Sequence, residues 1–246
     1  MMMKITLLGT GGALPPGGRA QSGIFIESTE GCLLLDCGSG VLLRLAQAEI
    51  DLARLNTILL THLHLDHMSD LLPLLTARWL NGQVQTRLYG PEGTEALLQD
   101  LMAHWDYVQE HVRLSITELQ GGMAFEAQGF QIDSLKAEHG LPALAYKFDR
   151  RFVFSGDTVP LTEMAQFAGD CKLLLHECSL PDGVEAPHHS RPRELGEALA
   201  NCDVAKLVLT HLYPPTQGCE AEMIRSVKQH FAGQVELAED LARFEV

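Results

Sequence analysis

The 246-residue sequence predicts a single α/β domain, residues 1–246, built as helix, sheet, sheet and helix layers. Three observations lead there. Short apolar runs repeatedly end in polar residues, helical patterns lie between them, and no Gly-, Pro- or Ser-rich stretch is long enough to divide the chain.

In chain order, Cys32-Leu33-Leu34-Leu35 ends at Asp36-Cys37-Gly38, and a helix is expected over Val41–Glu49. Thr57-Ile58-Leu59-Leu60 runs to His62, with helices expected over Ser69–Leu80 and Gly93–Trp105. Leu114–Leu135 reads as short strands with Gly121-Gly122 as a turn. Phe152-Val153-Phe154 then ends at Ser155-Gly156-Asp157-Thr158, ahead of a helix over Leu161–Phe167. Leu173-Leu174-Leu175 ends at His176-Glu177, and Leu207-Val208-Leu209-Thr210 at His211. Apolar runs of this length with Gly or polar borders suit buried strands. The last helices, Pro192–Ala200 and Glu220–Phe231, carry acids near their first turns, as the helix dipole favours. Leu59-Leu60-Thr61-His62-Leu63 echoes Val208-Leu209-Thr210-His211-Leu212, which suggests two equivalent strand ends that each deliver a histidine.

Composition narrows the function. No apolar run approaches the ~20 residues that span a bilayer, and Met1 to Leu8 lacks the apolar core of a signal peptide, so a soluble cytoplasmic protein is expected. The six cysteines form no C-x-x-C pair and read as reduced, mostly buried thiols. A second reading brings Cys37 or Cys178 close to a metal. The net charge of -14 argues against general nucleic-acid binding, which relies on Lys and Arg at phosphates. It leaves room for a phosphate substrate at bound cations, which offset negative charge locally.

The densest chemistry is His62-Leu63-His64-Leu65-Asp66-His67. In an extended segment, His62, His64 and Asp66 would share one face. Imidazoles and a carboxylate together suit zinc or a similar transition metal. The alternative is a His-rich surface loop. His104, His111 and His230 read as ordinary helix or surface histidines, and His176 as structural.

This segment resembles the H-x-H-x-D-H signature of the metallo-β-lactamase superfamily. Leu8–Gly12, Leu35–Gly38, His139–Tyr146, Ser155–Thr158, His176-Glu177, His189-Ser190 and Leu209–His211 resemble its tRNase Z-like (ribonuclease Z) branch, in the family order. The resemblance implies a four-layered αββα metallo-β-lactamase sandwich with two divalent transition-metal ions at one edge, zinc first, with manganese or iron as alternatives. It implies that His62, His64 and His139 hold one ion, that Asp66, His67 and His211 hold the other, and that Asp157 bridges. Asp36 would orient a ligand from behind.

The implied chemistry is hydrolysis by a hydroxide shared between the ions, oriented by Asp66, with His189 and Glu177 protonating the leaving group. His188 falls one residue off the family pattern. The tRNA nucleases of the branch carry a long arm, which in the bacterial form lies between the third histidine and the bridging aspartate. Here one hairpin separates His139 from Asp157. The expected substrate is therefore a small or single-stranded phosphodiester rather than folded tRNA, with no membrane partner and a homodimer left open. Arg150-Arg151 and Arg191-Pro192-Arg193 are the basic clusters that tRNA would have to use. A thioester, lactone or sulfate-ester hydrolase, or a non-catalytic metal or nucleotide sensor, are the competing readings.

Overall fold

The computed structural model describes residues 2–169 and 171–246. The first half holds β1 (Lys4–Gly9), β2 (Gly23–Glu27), β3 (Cys32–Leu35), α1 (Val41–Gln47), β4 (Thr57–Leu59), α2 (Leu65–Met68), α3 (Leu71–Leu80), β5 (Gln85–Pro91), α4 (Thr94–Met102), α5 (Asp106–His111) and β6 (Arg113–Leu119). The second half holds β7 (Ala124–Ala127), β8 (Phe130–Ala137), β9 (Ala143–Phe148), β10 (Phe152–Phe154), α6 (Thr162–Ala168), β11 (Leu173–Glu177), α7 (Pro192–Ala198), β12 (Lys206–Thr210), α8 (Glu220–Val227) and β13 (Gln234–Leu237). A last strand, β14 (Arg243–Glu245), returns to pair antiparallel with β1.

Two seven-stranded sheets result, ordered β14-β1-β2-β3-β4-β5-β6 and β13-β12-β11-β10-β9-β8-β7. Each begins with antiparallel pairs and continues with parallel strands. Strands covered on both sides should be apolar at every position rather than alternating, and the runs show this. Leu33 and Leu35 of β3 enter the core between the sheets, while Cys32 and Leu34 face the helices of the first half. Leu173 and Leu175 of β11 likewise face the intersheet core, and Leu174 faces the helices of the second half. Side chains of α1 to α5 cover one outer face and those of α6 to α8 the other. The expected helix–sheet–sheet–helix order is observed. None of the helices among the described residues is long and apolar enough to cross a membrane.

Several details differ from the sequence reading. The helix expected over Gly93–Trp105 is present as α4 but stops at Met102, and α5 is a further turn-and-a-half that the sequence reading did not expect. Gly121-Gly122 is a turn, but it carries the chain from β6 in one sheet to β7 in the other. The repeated pentapeptide maps to the ends of β4 and β12. By strand order β4 corresponds to β11, the first strand parallel to its antiparallel neighbour, so the repeat does not mark equivalent positions. His104, His111 and His230 lie outside the site, as expected. His104 and His111 bond carbonyls one turn back, His111 packs 4.3 Å from the Trp79 ring, and His230 lies 3.7 Å from Glu197.

The intersheet core is centred on aromatic rings. Phe148 lies 5.8 Å from Phe152 and 6.3 Å edge-on from Phe130, and all three are fully buried. Tyr146 donates across the core from β9 to the Leu60 carbonyl at 2.9 Å, and the Leu144 amide donates to Thr61 at 3.0 Å. The chain leaving β4 is thereby tied to the opposite sheet just before His62. Truncating Phe148 to Ala should leave a cavity at this junction and destabilise the fold by about 3–5 kcal/mol. Urea unfolding should show a lower midpoint with an unchanged slope.

Candidate active site

The ends of β3, β4, β10, β11 and β12 and the start of β9 meet at one edge of the two sheets. Every site residue expected from the sequence arrives there. His62, His64 and His139 form one group, and Asp66, His67, Asp157 and His211 a second, with the donor atoms in each group within 4.8 Å of one another. The extended geometry expected for the histidine segment holds only as far as His64, which has φ -70° and ψ 148°. From Leu65 the chain winds into the single turn of α2. This removes Asp66 from the face of His62 and His64 and turns it, with His67, toward the second group.

Backbone strain sits at the delivery points. Asp36 and His211 both adopt left-handed φ values, 61° and 60°, directly after strands. Such conformations cost roughly 1–3 kcal/mol in a non-glycine residue and persist where the surroundings over-determine them. Gly156, φ 57°, turns the chain before Asp157, and a Cβ there would approach the Leu144 carbonyl to 2.9 Å.

Hydrogen bonds behind each ring assign its proton. His67 Nδ1 donates to Asp36 Oδ2 at 2.7 Å, His139 Nδ1 to the His188 carbonyl at 3.0 Å, and His211 Nδ1 to Ser179 Oγ at 2.9 Å. Thr61 Oγ1 gives its proton to Asp36 and accepts from His62 Nδ1 at 3.1 Å. The Nε2 atoms of these four rings therefore face inward. Nδ1 of His64 lies 3.0 Å from Nε2 of both His62 and His139, and the Nε2 atoms of His67 and His211 are 3.2 Å apart. Nitrogen lone pairs set against one another at such distances repel unless a cation or proton lies between them. Asp157 adds a buried Oδ1 without a hydrogen-bond partner. A neutral-imidazole and carboxylate set with its protons turned outward is what a divalent transition metal requires.

The charge states agree. Burial holds the pKa values of His62, His64 and His139 below the ordinary imidazole value, which keeps them neutral. Burial would raise Asp66 and Asp157, but His211 and His67 outweigh it, and both carboxyls stay ionised. Burial opposes a charge on His67 too, yet Asp157 and Asp36 push its pKa well up. A proton on His67 Nε2 and a bound cation would thus compete for Asp157.

Beside the clusters lies a second constellation. His189 Nδ1 is 3.0 Å from Glu177 Oε1, and Ser179 Oγ donates to Glu177 Oε2 at 2.7 Å. Glu177 is fully buried. Burial disfavours a charged His189, but the Glu177 hydrogen bond and charge, then Asp157 and Asp66, raise its pKa above the ordinary value. His188 contributes its carbonyl to His139. His176 is fully buried, with Nδ1 against the Glu177 carbonyl, in keeping with a structural role.

The six cysteines are free, and all but Cys219 are buried. Cys37 and Cys178 belong to the helix-facing cores rather than to the site, and burial pushes both thiols well up. The reading that brought either close to a metal is thereby corrected: both side chains pack among the helices, and Cys178 follows the strand residue Glu177, so alternation turns it away from the site. Thr61 and Ser179 escape the sequence reading, although each shares a short segment with a residue that does not. Asp36→Asn, which touches no inward-facing nitrogen, should weaken metal binding about 10–100-fold through loss of its grip on His67 and Thr61. Competition against a chromophoric chelator measures this directly.

Three comparisons bear on this geometry. The family model described as Anti-Pycsar protein Apyc1 matches residues 3–236. A ribonuclease Z of Mycobacterium sp. (strain KMS) is 33% identical, with all of this chain and 96% of that protein covered. The crystal structure of the metallo-β-lactamase fold protein YhfI from Bacillus subtilis superposes with a TM-score of 0.88 at 25% identity over the whole of both chains. Human tRNase Z, short form, has the same fold, with a TM-score of 0.78 at 24% identity over 98% of each chain. The chain belongs to the ribonuclease Z-like metallo-β-lactamase superfamily, in the family that the Apyc1 model describes, and is a metal-dependent hydrolase.

Proposed function

We propose that the protein is a phosphodiesterase that uses two divalent cations, zinc first, on a small or single-stranded phosphodiester in the cytoplasm. His62, His64 and His139 would hold one ion, and Asp66, His67 and His211 the other. Asp157 would serve both: its oxygens lie 3.3 Å from His67 and His211 Nε2, 3.7 Å from His62 Nε2 and 3.9 Å from His139 Nε2. When bound, such a pair supplies hydroxide at neutral pH and neutralises charge on the reacting group.

The observation that carries the reading is the His189–Glu177 pair, set 3.9 Å from Asp157. Cleaving a phosphodiester with a poor leaving group requires a proton for the departing oxygen. Glu177 fixes Nδ1 of His189 and raises its pKa, so Nε2 can hold a proton toward the cleft at neutral pH. A thioester or lactone hydrolase has less need of so strong an acid pair. Turnover of bis-p-nitrophenyl phosphate by the metal-loaded protein tests the reading, and its absence alongside thioester or lactone cleavage would overturn it.

The substrate class follows from size and charge. A cavity of about 970 Å³ runs from His139 past Leu141, Leu144 and Leu161, and its lining holds Glu92, Glu138 and Glu163 against Lys136. Such a groove repels a long polyanion. The basic clusters are engaged elsewhere: Arg191 pairs with Glu194, Arg193 with Glu197 at 3.1 Å, and Arg151 donates to the Val246 carbonyl. His139 and Asp157 are joined only by the β9–β10 hairpin. The Mycobacterium alignment spans 275 positions against 246 residues here, so that relative carries segments this chain lacks.

Metal-replete protein should contain about two equivalents of metal by elemental analysis, and Asp157→Ala should lose more than removal of any terminal ligand. His189→Ala should keep its metal and lose about 10²–10⁴-fold in kcat, with a smaller loss for p-nitrophenolate than for alkoxide leaving groups. Because the His189 pKa is raised, the proton donor is present at neutral pH and is lost as pH rises through that pKa. The variant should lack this basic limb in a kcat–pH profile. A 3′-extended pre-tRNA should show lower kcat/KM than a small diester at physiological salt.

A further inference from the structure

Tyr213 packs beside the clustered histidines, on the side of His211 and His189. Its ring centroid is 5.6 Å from that of His211 and 5.8 Å from that of His189. Its position is closely determined. The Tyr213 amide donates to the Ser179 carbonyl at 3.2 Å, and its own carbonyl accepts from Thr216 N at 3.0 Å and Thr216 Oγ1 at 2.7 Å. The next residues, Pro214–Thr216, form a single 3-10 turn with prolines at its start. On the other side, the Gly12 amide donates to Leu212, and a Cβ on Gly12 would lie 2.3 Å from the Tyr213 ring. Gly12 therefore acts as a close-fitting wall for this ring.

The hydroxyl is the unusual part. The backbone amide of Ala13 is directed at it as a donor. Among the described residues no group accepts its proton, and the oxygen is not one of the buried unpartnered atoms, so it is open to solvent. Asp66, Asp157 and Glu177 are near enough to act on it electrostatically. A phenol that accepts from the backbone and keeps its own proton free is a hydrogen-bond donor waiting for an acceptor.

We propose that the Tyr213 hydroxyl donates a hydrogen bond to a non-bridging oxygen of the reacting phosphoryl group, on the His211 side of the cleft. This rests on the phosphodiesterase reading and goes beyond it. Charge on those oxygens must be met by donors placed in advance, and a fixed donor stabilises the transition state more than the bound substrate when that charge grows. The role differs from that of His189, which serves the departing oxygen.

The test compares metal-loaded wild type and Tyr213→Phe on thymidine 5′-p-nitrophenyl phosphate and on its separated Rp and Sp phosphorothioates. The variant keeps the ring and removes only the hydroxyl. It should keep its metal content, its melting temperature and its KM, and lose about 10- to 100-fold in kcat on the oxygen diester, the worth of a hydrogen bond to a charged acceptor. Sulfur is a poor acceptor, so the penalty should largely vanish for the one isomer whose sulfur faces Tyr213 and persist for the other. Wild-type kcat in the variant, equal penalties on both isomers, or loss of metal would overturn the inference and leave the ring a packing element. If wild type itself fails on the oxygen diester, the phosphodiesterase reading falls and this inference with it. If wild type turns the diester over and the variant matches it, only the role of Tyr213 falls.

Discussion

A carboxylate taken out of water costs several kcal/mol unless donors surround it, and Asp36 is fully buried where β3 ends. It accepts from the Thr61 amide at 2.8 Å, the Thr61 hydroxyl at 2.9 Å, Ser22 Oγ at 3.1 Å and His67 Nδ1 at 2.7 Å. Each bond fixes a different piece of the site. The amide bond places the chain leaving β4, the hydroxyl bond turns Thr61 to accept from His62, and the imidazole bond sets the His67 tautomer. The left-handed φ of Asp36 is the strain that brings one side chain within reach of all four donors. The two clusters share this carboxylate even though it belongs to neither.

A comparable link joins metal binding to proton supply. Ser179 accepts from His211 and donates to Glu177, which in turn holds His189. One hydroxyl therefore couples the orientation of a cation-facing ring to the charge of the carboxylate behind the proton donor. The division of labour is electrostatic. His62, His64 and His139 are kept neutral by burial, whereas His189 is kept basic by a carboxylate of its own. Two imidazoles with centroids 5.4 Å apart, those of His189 and His211, thus face different tasks.

Much of this was legible in the residues. Apolar runs ending in His, Asp or Glu marked β3, β4, β10, β11 and β12, because doubly buried strands must be apolar throughout and only their ends are free to be polar. The gathering of these residues was legible through family order, since nothing local says that His139 and Asp157 meet His62. Other features were hidden for physical reasons. The turn of α2 is too short to show a 3.6-residue period, so Asp66 seemed to share a face with His62. Thr61, Ser179 and Tyr213 act through hydroxyls, whose partners are chosen by tertiary placement and leave no spacing to read. The 6-residue α5 went unread because so short a helix shows too little of a 3.6-residue period.

The inward-facing donors come from both sheets. His62, His64, Asp66 and His67 follow β4 in the first, while His139, Asp157 and His211 adjoin β9, β10 and β12 in the second. Each cluster draws on both sources. The sheets therefore meet along two seams of different chemistry: hydrocarbon through the aromatic core, and imidazoles and carboxylates along the open edge. Urea and cooling loosen the first by weakening apolar burial, whereas chelators and acid act on the second. A small change in the angle between the sheets would pivot on the aromatic seam and be felt at the edge as a change in the spacing of donors. The stiffness of Phe130, Phe148 and Phe152, which touch no substrate, thereby sets how finely the chemistry at the edge is held.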